Sequence, residues 1–336
     1  MTSRARIKDI AQALGVSPAT VSRALSDSGL VAEPTRNRIR EAAQRLNYRP
    51  NANARSLRTQ RSMAVLMVVR DVGNPFYVEI LKGVEAAARD AGYVVLMGNT
   101  ENNPERENEY FDMLRDGHAD GMILMTGKLP EGTHISEELQ ALPVVVALEP
   151  IEESGFPHVM IDNIGAARGA VEHLISLGHR RIAHIAGPIP ETMAIHRREG
   201  YRAAMQGAGL PVLEGYEVVG DYLLHSGERL CRELFSLTNP PTAVFAANDE
   251  MAFGAINELR LMGFEVPRQV SVVGFDDIFL SQAFYPPLTT VSQPRAEIGK
   301  EAMHLLLKVL GGKRKAGEVI MMPTTLNIRG STAPLA

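Results

Sequence analysis

The sequence predicts an α/β protein with a small helix-turn-helix head, a short hinge helix, and a body of two similar subdomains built on parallel sheets. Three short helical patterns lie near the N-terminus, and strand-length apolar runs alternate with helical patterns from residue 63 onward. The charge divides at the same place, because residues 1–62 carry a net charge of +8 and the remainder −12. A basic helical head on an acidic body is typical of a protein whose head meets a polyanion.

The composition excludes several classes of protein. With 336 residues, of which 45% are apolar, the chain is long enough for two or three packed domains. Its single cysteine, Cys231, allows no intramolecular disulfide and no cysteine-based zinc site. We expect cytoplasmic residence, since the N-terminus lacks a signal-peptide pattern and no segment is apolar enough to span a membrane.

The head is predicted to contain three helices. In the first, apolar residues at i, i+3, i+4 and i+7 from Ile7 form one stripe, and Gly15 ends the helix. Ser17 is a suitable N-cap for the second helix, and Pro18 fits its first turn. A third pattern covers residues 34–46. Two short helices joined by a glycine-containing turn and supported by a third make a helix-turn-helix unit.

The second helix is expected to lie in the major groove of DNA. Its outward residues are Ser17, Pro18, Ala19, Thr20, Ser22 and Arg23. Arg23 has the geometry to pair with guanine through two hydrogen bonds, and Ala19 to contact a thymine methyl group. Small three-helix units also dock proteins, but the charge of +8 on the head favours DNA.

The segment "NANARSLRTQRS" that follows the head contains a single leucine. Leu57 lies among Arg55, Arg58 and Arg61, without an acidic residue in the segment. A short helix that starts at Pro50 and ends near Leu57 would fold only when something supports it. An apolar side chain flanked by arginines suits the minor groove, where it wedges into a base step. The alternative is an ordinary linker whose leucine packs on the next domain.

The body alternates apolar runs of strand length with helical patterns. Runs that are apolar on both faces predict parallel strands covered by helices. Two similar α/β halves with a cleft between them are the expected result. The predicted strands are residues 63–69, 93–99, 121–126 and 143–149 in the first half, and 181–187, 216–221, 242–249 and 270–277 in the second.

Polar side chains follow these strands, at the edge where open α/β sheets bind ligands. They are Asp71, Asn74, Glu149, Tyr222, Asn248, Asp249, Asp276 and Asp277, with Arg197 from a nearby helix. Together with the rings of Phe76, Tyr77 and Tyr222, they suit a neutral ligand with several hydroxyl groups. The alternative for each Asp or Asn is a helix cap in a βα loop.

Two other functions are weighed against a ligand-responsive DNA-binding protein. An α/β enzyme with a fused head would use Asp276 and Asp277 as an acid/base pair, but adjacent residues usually point to different sides of a strand end. The sequence contains no dinucleotide or phosphate-binding loop, no nucleophile elbow and no HExxH motif, and we expect neither a cofactor nor a metal. His179 and His184 more simply flank a strand. An architectural DNA protein without a ligand leaves the polar cleft unexplained.

Several long motifs are similar to the lactose/galactose repressor (LacI/GalR) family of bacterial transcription regulators. They are "IKDIAQALGVSPATVSRALS" and "VAEPTRNRIREAAQRLNYRPNANARSL", and the likeness runs from about residue 6 to 331. The resemblance implies a periplasmic-binding-protein-like body with an effector between its subdomains. It also implies that Leu57 intercalates at the centre of a palindromic operator. The hinge residues that accompany it by this resemblance are Asn51, Ala54, Arg55 and Arg58.

The resemblance also assigns effector contacts. The recurrent contacts fall on Arg197, Asn248 and Asp276, and the variable wall positions on Phe76, Tyr77, Glu149, Met193, Tyr222 and Gln293. Within the family, motifs such as "GKLPEG" are most similar to the cytidine-repressor branch, which implies a nucleoside or sugar effector. Glu191 stands where the purine repressor has arginine, which argues against a corepressor of that kind.

The resemblance completes the expected organisation. The head covers residues 1–49, the hinge 50–62, and the effector-binding and dimerisation domain 63–336. The subdomains are about 63–162 with 291–322, and 163–290 with 323–336, so that the chain crosses near 162, 290 and 322. The expected partners are a second copy of the chain, through helices that include 76–91, double-stranded palindromic operator DNA and the effector. The expected function is repression of catabolic or transport genes.

Overall fold

The computed structural model of the protein describes residues 5–25, 30–48, 61–129, 135–313 and 315–335. The chain divides into two compact units, Met1–Ser62 and Met63–Ala336. The predicted hinge contacts Asn51, Ala54, Arg55, Leu57 and Arg58 lie outside the described residues. In the described part of the chain, no helix is long and apolar enough to cross a membrane.

The described part of the first unit contains three helices, as the sequence predicts. They are α1 (Ile7–Leu14), α2 (Pro18–Leu25) and α3 (Glu33–Arg45). Gly15 follows α1 with a φ of 65°, a left-handed conformation that favours glycine. The backbone N–H of Thr20 donates to Ser17 Oγ at 3.1 Å, which satisfies one free donor at the start of α2. A small core of Ile10, Val21, Ile39 and neighbouring side chains holds the three helices together.

The second unit contains two six-stranded sheets. The first has the order β11–β5–β4–β3–β1–β2 and is parallel throughout. Its strands are β1 (Ala64–Val69), β2 (Val94–Asn99), β3 (Gly121–Leu124), β4 (Val144–Ala147), β5 (His158–Ile161) and β11 (Val319–Met322). Helices α4 (Phe76–Asp90), α5 (Pro104–Arg115), α6 (Glu137–Ala141) and α12 (Arg295–Leu310) belong to this half.

The second sheet has the order β12–β10–β9–β8–β6–β7 and is parallel except for β12, which pairs with β10 in the antiparallel direction. Its strands are β6 (Ile182–Ala186), β7 (Glu217–Val219), β8 (Ala243–Ala246), β9 (Ser271–Asp276), β10 (Thr289–Ser292) and β12 (Thr325–Asn327). Its helices are α7 (Asn163–Ser176), α8 (Thr192–Gly207), α9 (Leu224–Phe235), α10 (Asp249–Leu261) and α11 (Leu280–Ala283). The predicted α/β fold class with parallel sheets is confirmed.

The chain passes three times between the two sheets. It leaves the first sheet after β5 and returns to it after β10, where α12 packs against α4. The final passage runs from β11 to β12. The second passage, expected near residue 290, follows Ser292, because β10 pairs with β9 in the second sheet.

Pairs of neighbouring helices approach each other at glycines. A methyl group on Gly83 of α4 would collide with the carbonyl of Ala296 at the start of α12, and one on Gly299 of α12 with the carbonyl of Ile80. Helices α9 and α10 approach each other equally closely at Gly227 and Gly254, where an added methyl group would also collide with the facing backbone. These close crossings fix how the helices cover each sheet, and with it the position of the loops that follow the strands.

Candidate functional site

A cavity of about 520 Å³ lies between the two sheets of the second unit. Its walls are formed by residues that follow β1 and β2 on one side and β6, β7, β8 and β9 on the other. This is the carboxyl edge of both parallel sheets, where the sequence places the ligand. Of the nine predicted effector contacts, seven line the cavity: Phe76, Tyr77, Met193, Arg197, Tyr222, Asn248 and Asp276.

Arg197 is a buried charged residue in the cavity wall, and hydrogen bonds hold its side chain in place. It lies in the second turn of α8 and is 2% exposed. Its Nε donates to Asn163 Oδ1 at 3.0 Å and its Nη1 to the carbonyl of Ala247 at 2.5 Å, while the guanidinium stacks on the Phe275 ring at 3.7 Å. Among the described residues, its Nη2 has only the Met193 sulfur as a partner, at 3.9 Å. The N–H groups of Nη2 are therefore available to a ligand oxygen.

Asp276 supplies the acceptor beside this donor. It ends β9, and its Oδ1 lies 3.7 Å from Arg197 Nη1. Burial raises the pKa of Asp276 to about 6, against the lowering effects of Arg197, Arg295 and a hydrogen bond from Gln293. Gln293 Nε2 donates to Asp276 Oδ1 at 2.8 Å. Gln293 is itself buried behind the wall and does not line the cavity, although the resemblance assigns it a wall position.

Asn248 and Tyr222 form a second polar part of the wall. Asn248 caps α10, where its Oδ1 accepts from the N–H of Met251 at 3.0 Å, and its Nδ2 donates to the Tyr222 carbonyl at 2.8 Å. An amide has a second N–H, which remains for a ligand. The buried Tyr222 hydroxyl has no partner within the described residues. Its ring lies against Gly187, where a Cβ would collide with it.

Two further rings enter the cavity from the first half of the unit. Phe76 and Tyr77 begin α4 and are both buried, with their ring centroids 5.5 Å apart in an edge-to-face arrangement. Burial raises the pKa of Tyr77 to about 12, so its hydroxyl stays protonated and keeps its donor. Rings beside carboxylate, amide and guanidinium groups suit a ligand with one flat apolar face and several hydroxyl groups.

Sequence reasoning missed Arg70. It follows β1 directly and lines the cavity, where its guanidinium forms ion pairs with Glu149 and Glu191. Its Nη2 also donates to the carbonyl of Thr126 at 2.9 Å. Glu149, a predicted wall residue, lies behind Arg70 and does not line the cavity. The available signal was a single arginine at the end of a strand that is otherwise wholly apolar, next to the noted Asp71.

The two adjacent aspartates of the rival enzyme hypothesis do not act together. Asp276 faces Arg197 and Gln293 at the cavity, whereas Asp277 Oδ2 accepts from Asn327 Nδ2 at 2.7 Å. Asp277 also pairs with Arg329. Because the side chains diverge, they form no acid/base pair.

The histidines noted in the sequence serve the packing of the second sheet. His184 is stacked between Tyr201 and Phe245, and its Nδ1 lies 2.9 Å from the Phe245 carbonyl. Burial lowers its pKa to about 4, so the ring is neutral. His179 contacts Thr242 and Ser271 through hydrogen bonds. In the described ranges, no three His, Cys, Asp or Glu side chains are grouped to hold a metal ion.

The predicted DNA-contacting residues of the head share one side of α2 and its N-terminus. Ser17, Pro18, Ala19 and Arg23 are exposed, and Thr20 and Ser22 are half-buried. Val21 and Ala24, on the opposite side of α2, are fully buried against the other helices. The packing of the head thus leaves this side of α2 outside its core.

Two family models match the chain. The model of bacterial regulatory proteins of the lacI family matches residues 6–51, and that of the periplasmic binding protein-like domain matches residues 171–332. The HTH-type transcriptional repressor CytR of Escherichia coli (strain K12) is 40% identical over 331 residues, which cover 98% of this chain and 97% of that protein.

Two solved structures support the same assignment. The transcriptional regulator CelR in complex with cellobiose has a TM-score of 0.73 at 32% identity, and covers 98% of this chain and 100% of its own. The lac repressor dimer bound to operator and the anti-inducer ONPF has a TM-score of 0.86 at 25% identity, with the same coverage. The expected regulator is confirmed and the enzyme hypothesis is not supported. The chain belongs to the lacI family of bacterial regulatory proteins and is a DNA-binding transcriptional regulator, not an enzyme.

Proposed function

We propose that this regulator is a repressor whose operator binding is controlled by a small uncharged effector, a nucleoside or a sugar, in the cavity between the two sheets. The observation that carries the proposal is the pairing of Arg197 and Asp276 in the wall, with donors of Arg197 left open. A donor beside an acceptor is the arrangement that binds vicinal hydroxyl groups. The resemblance to the family implies recurrent effector contacts at the same two residues, which supports the proposal.

A nucleoside is the first candidate. A base needs an apolar face and a pentose needs polar partners, and the cavity offers both: the rings of Phe76, Tyr77 and Tyr222 and the side chains of Arg197 and Asn248. The resemblance of motifs such as "GKLPEG" to the cytidine-repressor branch supports the same choice. A sugar is the second candidate, because the similar regulator CelR is known in complex with cellobiose.

The proposed mechanism couples two equilibria. Two copies of the chain form a dimer that presents two heads to a palindromic operator, as symmetry requires and as the lac repressor dimer on its operator suggests. The effector binds between the two sheets and favours one relative orientation of the halves over another. That change moves the segments 50–62 of the two copies and releases the operator. Since the target is chromosomal DNA, the proposed site of action is the cytoplasm.

Calorimetric titration of the full chain tests the effector claim. Cytidine, uridine, adenosine, ribose and cellobiose would be titrated separately under the same conditions. We expect a nucleoside to bind with one site per chain. If only a sugar binds, the cavity remains the proposed effector site and the effector is a sugar instead of a nucleoside. Failure of every compound to bind would contradict the proposal.

A further inference from the structure

A buried arginine in a ligand cavity is ordinarily a binding group for carboxylates or phosphates. Arg70 is 8% exposed in the cavity wall, yet all its nitrogen atoms already have partners. Nε and Nη2 donate to the Thr126 carbonyl, Nη2 also pairs with Glu149, and Nη1 pairs with Glu191. Its charge is therefore neutralised before any ligand enters.

The two carboxylates on Arg70 come from different halves of the body. Glu149 follows β4 in the same half as Arg70, and it is buried behind the guanidinium. Glu191 precedes α8 in the opposite half, lines the cavity and occupies Nη1 from that side. Glu191, which belongs to the second half, thus separates Arg70 from a ligand in the cavity.

The remaining charges of the wall also disfavour an anion. The second arginine, Arg197, has open donors only at Nη2, and Asp276, 3.7 Å from its Nη1, balances its charge. The exposed charged residues that line the cavity are all acidic: Asp71, Glu101 and Asp221. An entering phosphate would pass these carboxylates and would have to displace one carboxylate from a buried arginine.

The geometry points to Glu191 as a specificity residue that excludes phosphorylated ligands from the cavity by occupying Arg70. This inference rests on the proposed function. It adds that the cavity binds a nucleoside or sugar in preference to the phosphorylated form of the same compound. Removing the charge of Glu191 would leave Arg70 Nη1 without its charged partner on the cavity side, while Glu149 keeps Nη2. The N–H groups of Nη1 could then donate to a phosphate oxygen.

A purely structural role for Glu191 predicts a different result. If its ion pair with Arg70 only held the two halves together, losing it would change the affinities for neutral and phosphorylated ligands by the same factor. The ratio of the two affinities is therefore the informative quantity, and it is insensitive to a general loss of closure.

The test is calorimetric titration of the full chain with matched pairs: cytidine with cytidine 5′-monophosphate, and ribose with ribose 5-phosphate. The variants are Glu191→Gln and, as a matched control, Glu199→Gln, which removes the same charge from an exposed position on α8. We expect the wild type and Glu199→Gln to prefer the unphosphorylated compound by at least about tenfold, because Arg70 with its two carboxylates carries a net negative charge that repels a phosphate in a partly buried site. Glu191→Gln should shift the ratio toward the phosphate by about tenfold or more.

The double variant Arg70→Gln/Glu191→Gln assigns the shift to Arg70, and it should lose the gain for the phosphorylated compound. Thermal unfolding shows that each variant is folded before it is titrated. If wild type binds both members of a pair alike, or if Glu191→Gln leaves the ratio unchanged, the inference is overturned and the proposed function stands. If no unphosphorylated compound binds the wild type, the proposed function fails and this inference fails with it.

Discussion

At the residue scale, Arg197 has two roles that a single substitution removes together. We propose that its open Nη2 donors bind a ligand, and its guanidinium also supplies hydrogen bonds to Asn163 and the Ala247 carbonyl. We expect Arg197→Ala to abolish calorimetric effector binding and to lower the free energy of unfolding by about 1–3 kcal/mol, since buried acceptors lose their partner. The matched control is Arg202→Ala, on the same helix, which removes an exposed pair with Glu217. Full effector affinity in Arg197→Ala would remove this residue from the site.

Leu57 gives a prediction from sequence alone, since it lies outside the described residues. If its side chain wedges into the central step of the operator, Leu57→Ala should weaken specific binding by about tenfold or more and leave nonspecific binding nearly unchanged. Only a kinked site uses the wedge, whereas phosphate contacts serve any sequence. Gel-shift titrations on operator and on scrambled DNA of equal length provide the measurement. An equal loss on both would refute intercalation.

Seven of the nine predicted effector contacts line the cavity; Tyr222, Asn248 and Asp276 do so because the carboxyl ends of parallel strands meet at one edge. The resemblance added Met193, which no pattern indicated. Glu149 and Gln293 lie one layer further back, since each pairs with a charged side chain that itself lines the wall. Arg70 escaped prediction because its role depends on Glu149 and Glu191, which are far from it in sequence. Pairings of this kind are set by tertiary contacts, not by local pattern.

At the scale of elements, Asp249 ties the start of α10 to its neighbours. Its carboxylate accepts from Ser281 Oγ at 2.6 Å, from Thr290 Oγ1 at 2.5 Å and from the N–H of Ile278 at 2.9 Å. Burial, and secondarily Asp276, raises the pKa of Asp249 from 3.8 to about 7. Because the folded state binds this proton more tightly than the unfolded state, protonation of Asp249 stabilises the fold. This stabilisation is fully present below about pH 4 and is lost as the pH rises through 7.

Asp249→Asn removes this titration. Between pH 4 and 7, the free energy of unfolding of the wild type should fall relative to that of the variant, by on the order of 3 kcal/mol. Urea unfolding of both proteins at several pH values measures the difference, in which the contributions of carboxylates that do not interact with Asp249 cancel. A constant difference across this range would show that Asp249 has an ordinary pKa.

The close helix crossing of α4 and α12 gives another prediction. Gly83→Ala would place a methyl group against the Ala296 carbonyl, and should lower the free energy of unfolding by about 1–3 kcal/mol. The control is Gly169→Ala in α7, where the added methyl meets no atom within 4 Å. That change should stabilise by up to about 1 kcal/mol, because alanine favours a helix over glycine. Equal effects of the two substitutions in urea unfolding would contradict the packing account.

All eight predicted strand runs contain a strand, because apolar residues and glycine make up most of each run. The four strands that were not predicted, β5, β10, β11 and β12, have only three or four residues each, and all but β11 contain polar side chains; β10 (Thr289–Ser292) is the clearest case. Such segments have no strand pattern of their own and are held in place by their neighbours in the sheet. Because β10 was not predicted, the sequence placed the second passage between the sheets near residue 290, before the end of this strand at Ser292.

At the scale of the whole molecule, charge separates the two tasks of the chain. Residues 1–62 carry +8 and the remaining residues −12, so attraction to DNA is concentrated at one end. The acidic body then repels the DNA backbone and leaves recognition to the head. We expect an effector bound in the cavity of the body to act on the head through a conformational change and not by contacting DNA.

Fluorescence anisotropy of labelled DNA from upstream of the protein's own gene, titrated with the full chain and then with effector candidates, tests this coupling most directly. The account predicts specific binding in the absence of effector and release on addition of a nucleoside, with Arg197→Ala still bound to DNA but unresponsive. Binding to operator that stays unchanged while calorimetry shows the nucleoside bound in the cavity would contradict it.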